Sequence, residues 1–216
     1  HSVDELAASS FVNNVMNLFI LTELGFATGM TPMIGADNGT GNIKGIGITV
    51  KNGLMTNGII GGISIILLTI IYFCLDHFGQ APELMPYIKP YFAIIGISTL
   101  FALGFDGLKH FTGGICRPMI SMTLLMIGNL LNIFGNWVLI YGKLGFPEMG
   151  LTGAGISTLV SRALILLVFV VFIFKSKKMN EYARAFKEAL LSRGEMKTVF
   201  KMGYPVGIQM ALHLTQ

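Results

Sequence analysis

The sequence contains little charge. Asp, Glu, Lys and Arg make up 12% of its 216 residues, whereas hydrophobic residues make up 53%. Soluble domains carry about 25% charged residues, so this composition excludes an ordinary soluble domain and indicates an integral membrane protein. Most of the chain also lacks the apolar periods of about 3.6 or 2 residues that are typical of amphipathic helices and half-buried strands.

Motifs for several kinds of chemistry are absent. No P-loop of the form GxxxxGK[ST] occurs, which argues against direct coupling to ATP. Neither HExxH nor a paired-acid motif stands at a membrane interface, so we expect no enzyme and no resident cofactor. The net charge of +4 arises beside the apolar spans and not in a basic patch with interleaved aromatic residues, so no nucleic acid is expected as a partner.

Cysteine is scarce and an initiator methionine is missing. Cys74 and Cys116 fall near the ends of different hydrophobic spans. We expect them at opposite faces of the bilayer, too far apart for a disulfide. The chain opens on HSVDELAASS and stops inside an apolar run, which we interpret as a fragment of a longer protein.

Long uncharged apolar spans fill most of the chain. About 20 apolar residues suffice to cross the hydrocarbon core as a helix. The sequence therefore predicts an all-α polytopic membrane protein with spans at 6–36, 53–75, 90–105, 118–142 and 149–174, and a further span beginning near 202. The third span is short, so it must extend past Lys89 or Asp106. In the first span, Gly25 and Gly29 form a GxxxG motif, which permits close approach of another helix.

The segment 175–201 is the one long polar stretch, with eight basic residues and apolar side chains at helical spacing. It predicts an amphipathic helix and a boundary between two membrane units. Two interpretations stay open: the helix lies on the membrane surface, or it packs on the inner face of the protein itself.

The basic residues predict the orientation. With the N-terminus outside, twelve of the fifteen Lys and Arg fall in inner connectors, and only Lys89 and Lys143 fall in outer ones. Because basic residues concentrate on the cytoplasmic side, we expect segment 175–201 in the cytoplasm and the protein in the inner (plasma) membrane.

Polar side chains inside the spans indicate a function beyond anchoring. They are Glu23, Asn129, Asn132, Asn136, Thr158 and Arg162. Such groups cost free energy in the membrane unless they find partners or water. We therefore expect something polar to pass or be held between these helices.

Four segments resemble the multidrug and toxic compound extrusion family in order and spacing: TPMIGADNGTGN (31–42), NLLNIFGNWVLIYG (129–142), IYGKLGFPEMGLTGAGISTLVSR (140–162) and GYPVGIQMAL (203–212). The resemblance implies a twelve-helix transporter built from two six-helix lobes. On this reading residues 1–174 are helices 2–6 of the N-terminal lobe, which lacks its first helix. Residues 175–201 are the linker between the lobes, and 202–216 begin helix 7.

The resemblance also implies a function. Members of the family export organic, often cationic compounds in exchange for Na⁺ or H⁺, and transport requires the C-terminal lobe that this chain lacks. The family's polar network falls on Asn132, Asn136 and Thr158, with a possible Na⁺ site near the two asparagines. One branch has Asp at the position of Asn136, so the chain looks NorM-like. NorM-type members carry Glu where this chain has His213, which leaves the coupling ion open.

Each candidate residue has a second interpretation. Asn132 and Asn136 could simply bond neighbouring helices, at about 0.6 kcal/mol each. Asn129, three residues before Asn132, is a further candidate of the same kind. Glu23 is a coupling carboxylate, a partner of Arg162 or a residue facing water. Arg162 either tethers its helix or contacts substrate.

Two other functions remain open at this point. A related fold could flip or export a lipid-linked or oligosaccharide substrate, which would favour a strongly basic cavity, but only Arg162 is basic at membrane depth. A purely structural membrane protein would leave the polar residues inside the spans unexplained.

Overall fold

The structure, a computed structural model, describes residues 3–213, apart from the side chains of Met210, Ala211 and His213. Over this range the chain is helical and contains no strand. Its α-helices are α1 Val3–Ala27, α2 Met30–Gly39, α3 Ile43–Cys74, α4 Met85–Gly114, α5 Pro118–Ile140, α6 Gly150–Lys175, α7 Asn180–Glu188 and α8 Arg193–His213. Five stretches are long and apolar enough to cross a membrane. The prediction of an all-α polytopic membrane protein is therefore confirmed.

Several helices differ in their bounds from the predicted spans. The span predicted at 6–36 is divided into α1 and α2, with a break at Thr28 and Gly29. The helix predicted from 53 starts at Ile43, because the side chain of Asn42 caps it by accepting a hydrogen bond from Gly45 N over 3.1 Å. The predicted span begins only after the last charged residue, because it was defined as an uncharged run. A helix can nevertheless continue past charged residues where it leaves the hydrocarbon core.

The third predicted span extends in both directions, as its short length required. α4 continues past Lys89, which pairs with Asp76 over 3.0 Å, and past Asp106, which pairs with Lys109 over 3.3 Å. These ion pairs lower the cost of placing charge near the ends of an apolar helix.

The long helices alternate in direction, which gives the bundle two ends. We call the end that holds α7 and residues 176–192 the linker end, and the end that holds the turns at 75–84 and 141–149 the opposite end. Cys74 finishes α3 at the opposite end, Cys116 follows α4 at the linker end, and both are free. The expectation of two unpaired cysteines at different faces is confirmed.

Segment 175–201 packs on the protein itself. Met179 and Ala183 are buried in the same hydrophobic cluster as Val50 and Phe111, which favours packing on the protein over the membrane-surface interpretation. Polar side chains of α3 also hold the backbone of the segment. The helix predicted from about 202 begins at Arg193 instead, inside the segment predicted as a linker, so Lys197 and Lys201 belong to α8.

Two side chains of α3 hold the backbone between α7 and α8. Lys51 Nζ donates to Ala189 O over 2.6 Å. Fully buried Asn52 donates from Nδ2 to Leu190 O over 3.1 Å, and its Oδ1 accepts from Ser192 N over 2.7 Å. The turn before α8 is thus fixed to the bundle by three hydrogen bonds.

Helix α8 packs against α1 through glycines on both sides. A Cβ placed on Gly29 would lie 2.5 Å from Gly203 N, and one on Gly25 would lie 2.6 Å from Gly207 N. The close approach that the GxxxG motif predicted is therefore confirmed, and its partner is a second GxxxG in α8.

Candidate functional site

Helices α5 and α6 approach each other closely along a line of glycines. A Cβ on Gly135 would collide with the side chain of Ser157, and one on Gly128 would lie 2.7 Å from Ile165 Cγ2. A Cβ on Gly153 would lie 2.7 Å from Leu139 O. Because these positions lack side chains, the two backbones come close enough for short polar side chains to bond between the helices.

Asn136, Asn132 and Thr158 form a chain of hydrogen bonds at this contact, which we call the amide chain. Asn136 Nδ2 donates to Asn132 Oδ1 over 3.2 Å, and Asn132 Nδ2 donates to Thr158 Oγ1 over 3.1 Å. Thr158 Oγ1 donates to Ala154 O over 3.0 Å. The spacing of four residues places both asparagines on one face of α5, and the three predicted residues do lie together.

One oxygen of the amide chain has no partner. Asn136 Oδ1 is buried and accepts no hydrogen bond from the described residues. Leaving such an acceptor unsatisfied costs about 1–3 kcal/mol, which calls for an explanation. Both asparagines are only half-buried, so the free oxygen is close to an accessible surface. Carbonyl and hydroxyl oxygens of this kind suit a hard cation or a protonated donor.

Two other candidates lie apart from the amide chain. Asn129 is exposed on α5 and takes part in none of the side-chain hydrogen bonds found between described residues. His213 ends α8, and its side chain lies outside the described residues. Among the described residues, no group of three or more His, Cys, Asp or Glu is placed to hold a metal ion.

Glu23 and Arg162 line a second polar site. A cavity of about 230 Å³ lies between α1, α4, α5 and α6, and we call it the Glu23 cavity. Its ionisable lining residues are Glu23, Asp106, Lys109 and Arg162. Glu23 is 4% exposed, its neighbour Ser64 can donate a hydrogen bond to it, and its Oε1 has no hydrogen-bond partner among the described residues.

Of the three interpretations of Glu23, the ion pair with Arg162 is wrong, since no salt bridge joins these two described residues. Arg162 Nη1 instead donates to Ser98 Oγ on α4 over 2.7 Å. Ser98 is fully buried, and its bond with the guanidinium joins α6 to α4 and not to α1. This bond fits the interpretation of Arg162 as a tether for its helix.

Sequence reasoning missed a polar cluster at the linker end of α4. His110 Nδ1 lies 2.8 Å from Thr31 Oγ1, and His110 Nε2 lies 3.2 Å from Asp106 Oδ2. The spacing of four between Asp106 and His110 was a signal for one helical face. The role of Thr31 had no signal, because it depends on how α2 packs on α4.

A bundle of helices long and apolar enough to cross a membrane, with polar side chains paired between them, is the architecture of a polytopic membrane protein. The sequence model of the MatE family matches residues 2–138. The chain therefore belongs to this family, the multidrug and toxic compound extrusion transporters.

Known relatives agree with this assignment. Multidrug resistance protein NorM of Photobacterium profundum is 28% identical over 97% of this chain and 46% of its own length. The protein of the same name from Vibrio cholerae is 26% identical over 99% of this chain and 47% of its own length. An inward-facing multidrug resistance MATE transporter of the MOP superfamily has the same fold, with a TM-score of 0.84 and 20% identity over 98% of this chain and 48% of that one. The chain thus spans about half the length of the relatives it matches.

Proposed function

We propose that this chain is the N-terminal lobe of a secondary multidrug exporter, which moves organic, often cationic compounds out of the cell in exchange for Na⁺ or H⁺. Membership in the MatE family and the multidrug resistance names of its relatives support this proposal. The observation that carries it is the amide chain, which presents an unpartnered oxygen, Asn136 Oδ1, inside the membrane region.

The amide chain can bind a cation and release it again. The other side-chain nitrogen and oxygen atoms of the amide chain each take part in at least one hydrogen bond, so Asn136 Oδ1 is the atom left wholly free for a ligand among the described residues. The chain carries no fixed charge, and neutral oxygens hold a cation less tightly than a carboxylate would. Because Thr158 anchors Asn132 and Asn132 anchors Asn136, the free oxygen keeps its direction when the ligand leaves.

We place the linker end in the cytoplasm and the protein in the inner (plasma) membrane. The excess of Lys and Arg at the linker end supports this orientation. Transport would also need a second lobe to close the pathway, so this chain alone is not expected to transport.

The test is dye efflux by the full-length protein in an efflux-deficient bacterium. Efflux of a fluorescent cationic dye is followed for wild type, for Asn136→Ala and for the control Asn129→Ala, which changes an exposed asparagine of the same helix. The Na⁺ and proton gradients are collapsed separately. We expect Asn136→Ala to slow efflux by about tenfold, since losing one ligand costs about 1–3 kcal/mol.

The efflux of the two variants decides whether the amide chain belongs to the transport site. Efflux that fails in Asn136→Ala, persists in Asn129→Ala and stops with one gradient would support the proposal and identify the ion. Wild-type efflux in Asn136→Ala would remove Asn136 from the site. If no cationic dye is exported although the protein is in the membrane, a lipid-linked or oligosaccharide substrate becomes the better hypothesis.

A further inference from the structure

The Glu23 cavity holds an ionisable group that the amide chain does not use. Glu23 is 96% buried and its Oε1 has no partner among the described residues, although it lines a cavity of about 230 Å³. A cavity of this volume has room for several water molecules. A buried carboxyl inside a membrane helix costs free energy, and one without an ion pair is a candidate for a function.

A row of polar groups leads from this cavity to the linker end. Asp106 lines the cavity, and its Oδ2 lies 3.2 Å from His110 Nε2, although neither atom makes a hydrogen bond to a described residue in this arrangement. On its other side, His110 Nδ1 lies 2.8 Å from Thr31 Oγ1 of α2. The side chains of Asp106 and His110 are 10% and 14% exposed, and that of Lys109, whose Nζ lies 3.3 Å from Asp106 Oδ1, is 46% exposed. The row thus connects a buried carboxyl with the surface at the linker end.

The charges around the cavity suit a Glu23 carboxyl that alternates between its protonated and its ionised form. Lys109 of α4 and Arg162 of α6 face the same cavity, so a carboxylate left by a departing proton has cationic neighbours. From α3 the neighbouring group is the uncharged Ser64, and the other lining residues, Leu125 of α5 among them, are apolar. Asp106 Oδ1 is within ion-pair distance of Lys109, whereas Glu23 has no ion-pair partner among the described residues.

We infer that Glu23, Asp106 and His110 form a proton pathway between the Glu23 cavity and the linker end. The Glu23 carboxyl gives its proton to water in the cavity and becomes a carboxylate. The proton passes to Asp106 and across the 3.2 Å contact to His110 Nε2, while Nδ1 of the same ring releases a proton on the side of Thr31, at the linker end, so the ring ends neutral, as it began. One proton leaves Glu23 and one reaches the surface. In the proposed exporter, this movement of a proton would supply the coupling ion. That role in coupling rests on the proposed function.

The pathway is tested by stopped-flow infrared spectroscopy of the purified full-length protein, which follows deuterium exchange of protonated carboxyl groups in D₂O. Glu23→Gln identifies the Glu23 band. We expect His110→Gln and Asp106→Asn to slow the exchange of that band by about tenfold or more. His77→Gln and Glu83→Gln, which change exposed residues at the opposite end, are the controls and should leave the rate unchanged.

The outcomes separate the pathway from the exporter. A Glu23 band that is absent at every pH at which the protein is stable would overturn the pathway, as would a wild-type exchange rate in both His110→Gln and Asp106→Asn. Circular dichroism and gel filtration verify folding, and either of the two variants suffices if the other fails to fold. Exchange that behaves as expected in a protein that exports no dye would overturn the proposed function alone. Efflux driven by Na⁺ only, and normal in Glu23→Gln, would overturn the coupling role and leave the exporter.

Discussion

Gly25 of α1 and Gly207 of α8 face each other at a distance that admits no side chain, since a Cβ on Gly25 would lie 2.6 Å from Gly207 N. One helical turn away, Gly29 faces Gly203 in the same way. α8 follows the turn at 189–192, so this contact packs the helix after α7 against α1. It lies toward the linker end, where α1 finishes and α8 begins.

Gly29→Ala should destabilise the protein. The added methyl group would meet the backbone of Gly203, which cannot move aside as a flexible side chain would. We expect a loss of about 1–3 kcal/mol, as for overpacking in a core, measured by thermal unfolding in detergent. Gly58→Ala is the control, because a Cβ there meets nothing within 4 Å and alanine favours the helix. Equal unfolding temperatures in the two variants would contradict the close contact.

Asn52→Ala should release the turn between α7 and α8. The variant leaves Leu190 O and Ser192 N without their side-chain partner, and an unsatisfied buried group costs about 1–3 kcal/mol. Local opening should expose the peptide bond after Arg193, so limited trypsin digestion should cut there faster than in wild type. Asn14→Ala changes an exposed asparagine of α1 and should be digested at the wild-type rate. Unchanged cleavage in Asn52→Ala would show that the apolar face of the segment alone holds it.

The amino-acid sequence predicts the membrane helices well and the contacts between them unevenly. Uncharged runs are sufficient to find five spans. They do not show that Lys51, which lies inside α3, binds the backbone of the segment 175–201, because no local pattern reveals that contact. The amide chain was predicted from the spacing of Asn132 and Asn136 and from the family resemblance. The partner of Arg162 was not, because the choice between Ser98 and Glu23 depends on the distance between helices.

Ser98→Ala should distinguish a tether from a substrate contact at Arg162. Removing the hydroxyl takes away the partner of a guanidinium, and hydrogen bonds to charged groups contribute about 1.5–3 kcal/mol. If Arg162 only tethers α6 to α4, thermal stability should fall while the dissociation constant of a fluorescent cationic dye stays the same. Ser9→Ala is the control, since Ser9 bonds only within its own helix. A weaker dye affinity at unchanged stability would favour the substrate contact instead.

Thr158→Val should weaken the amide chain without changing the volume of the side chain. Thr158 Oγ1 accepts from Asn132 Nδ2, so the valine leaves that donor without a partner and frees Asn132 and Asn136 to turn. Thr158→Ser keeps the hydroxyl and should keep the chain, which makes it the matched variant. We expect Thr158→Val to raise the Na⁺ or proton concentration for half-maximal dye efflux by about tenfold, the equivalent of about 1.4 kcal/mol. Thr158→Ser should shift it much less. If both variants shift it equally, the methyl group of Thr158 and not its hydroxyl sets the ion dependence, and Asn136 Oδ1 is not held in place by the chain.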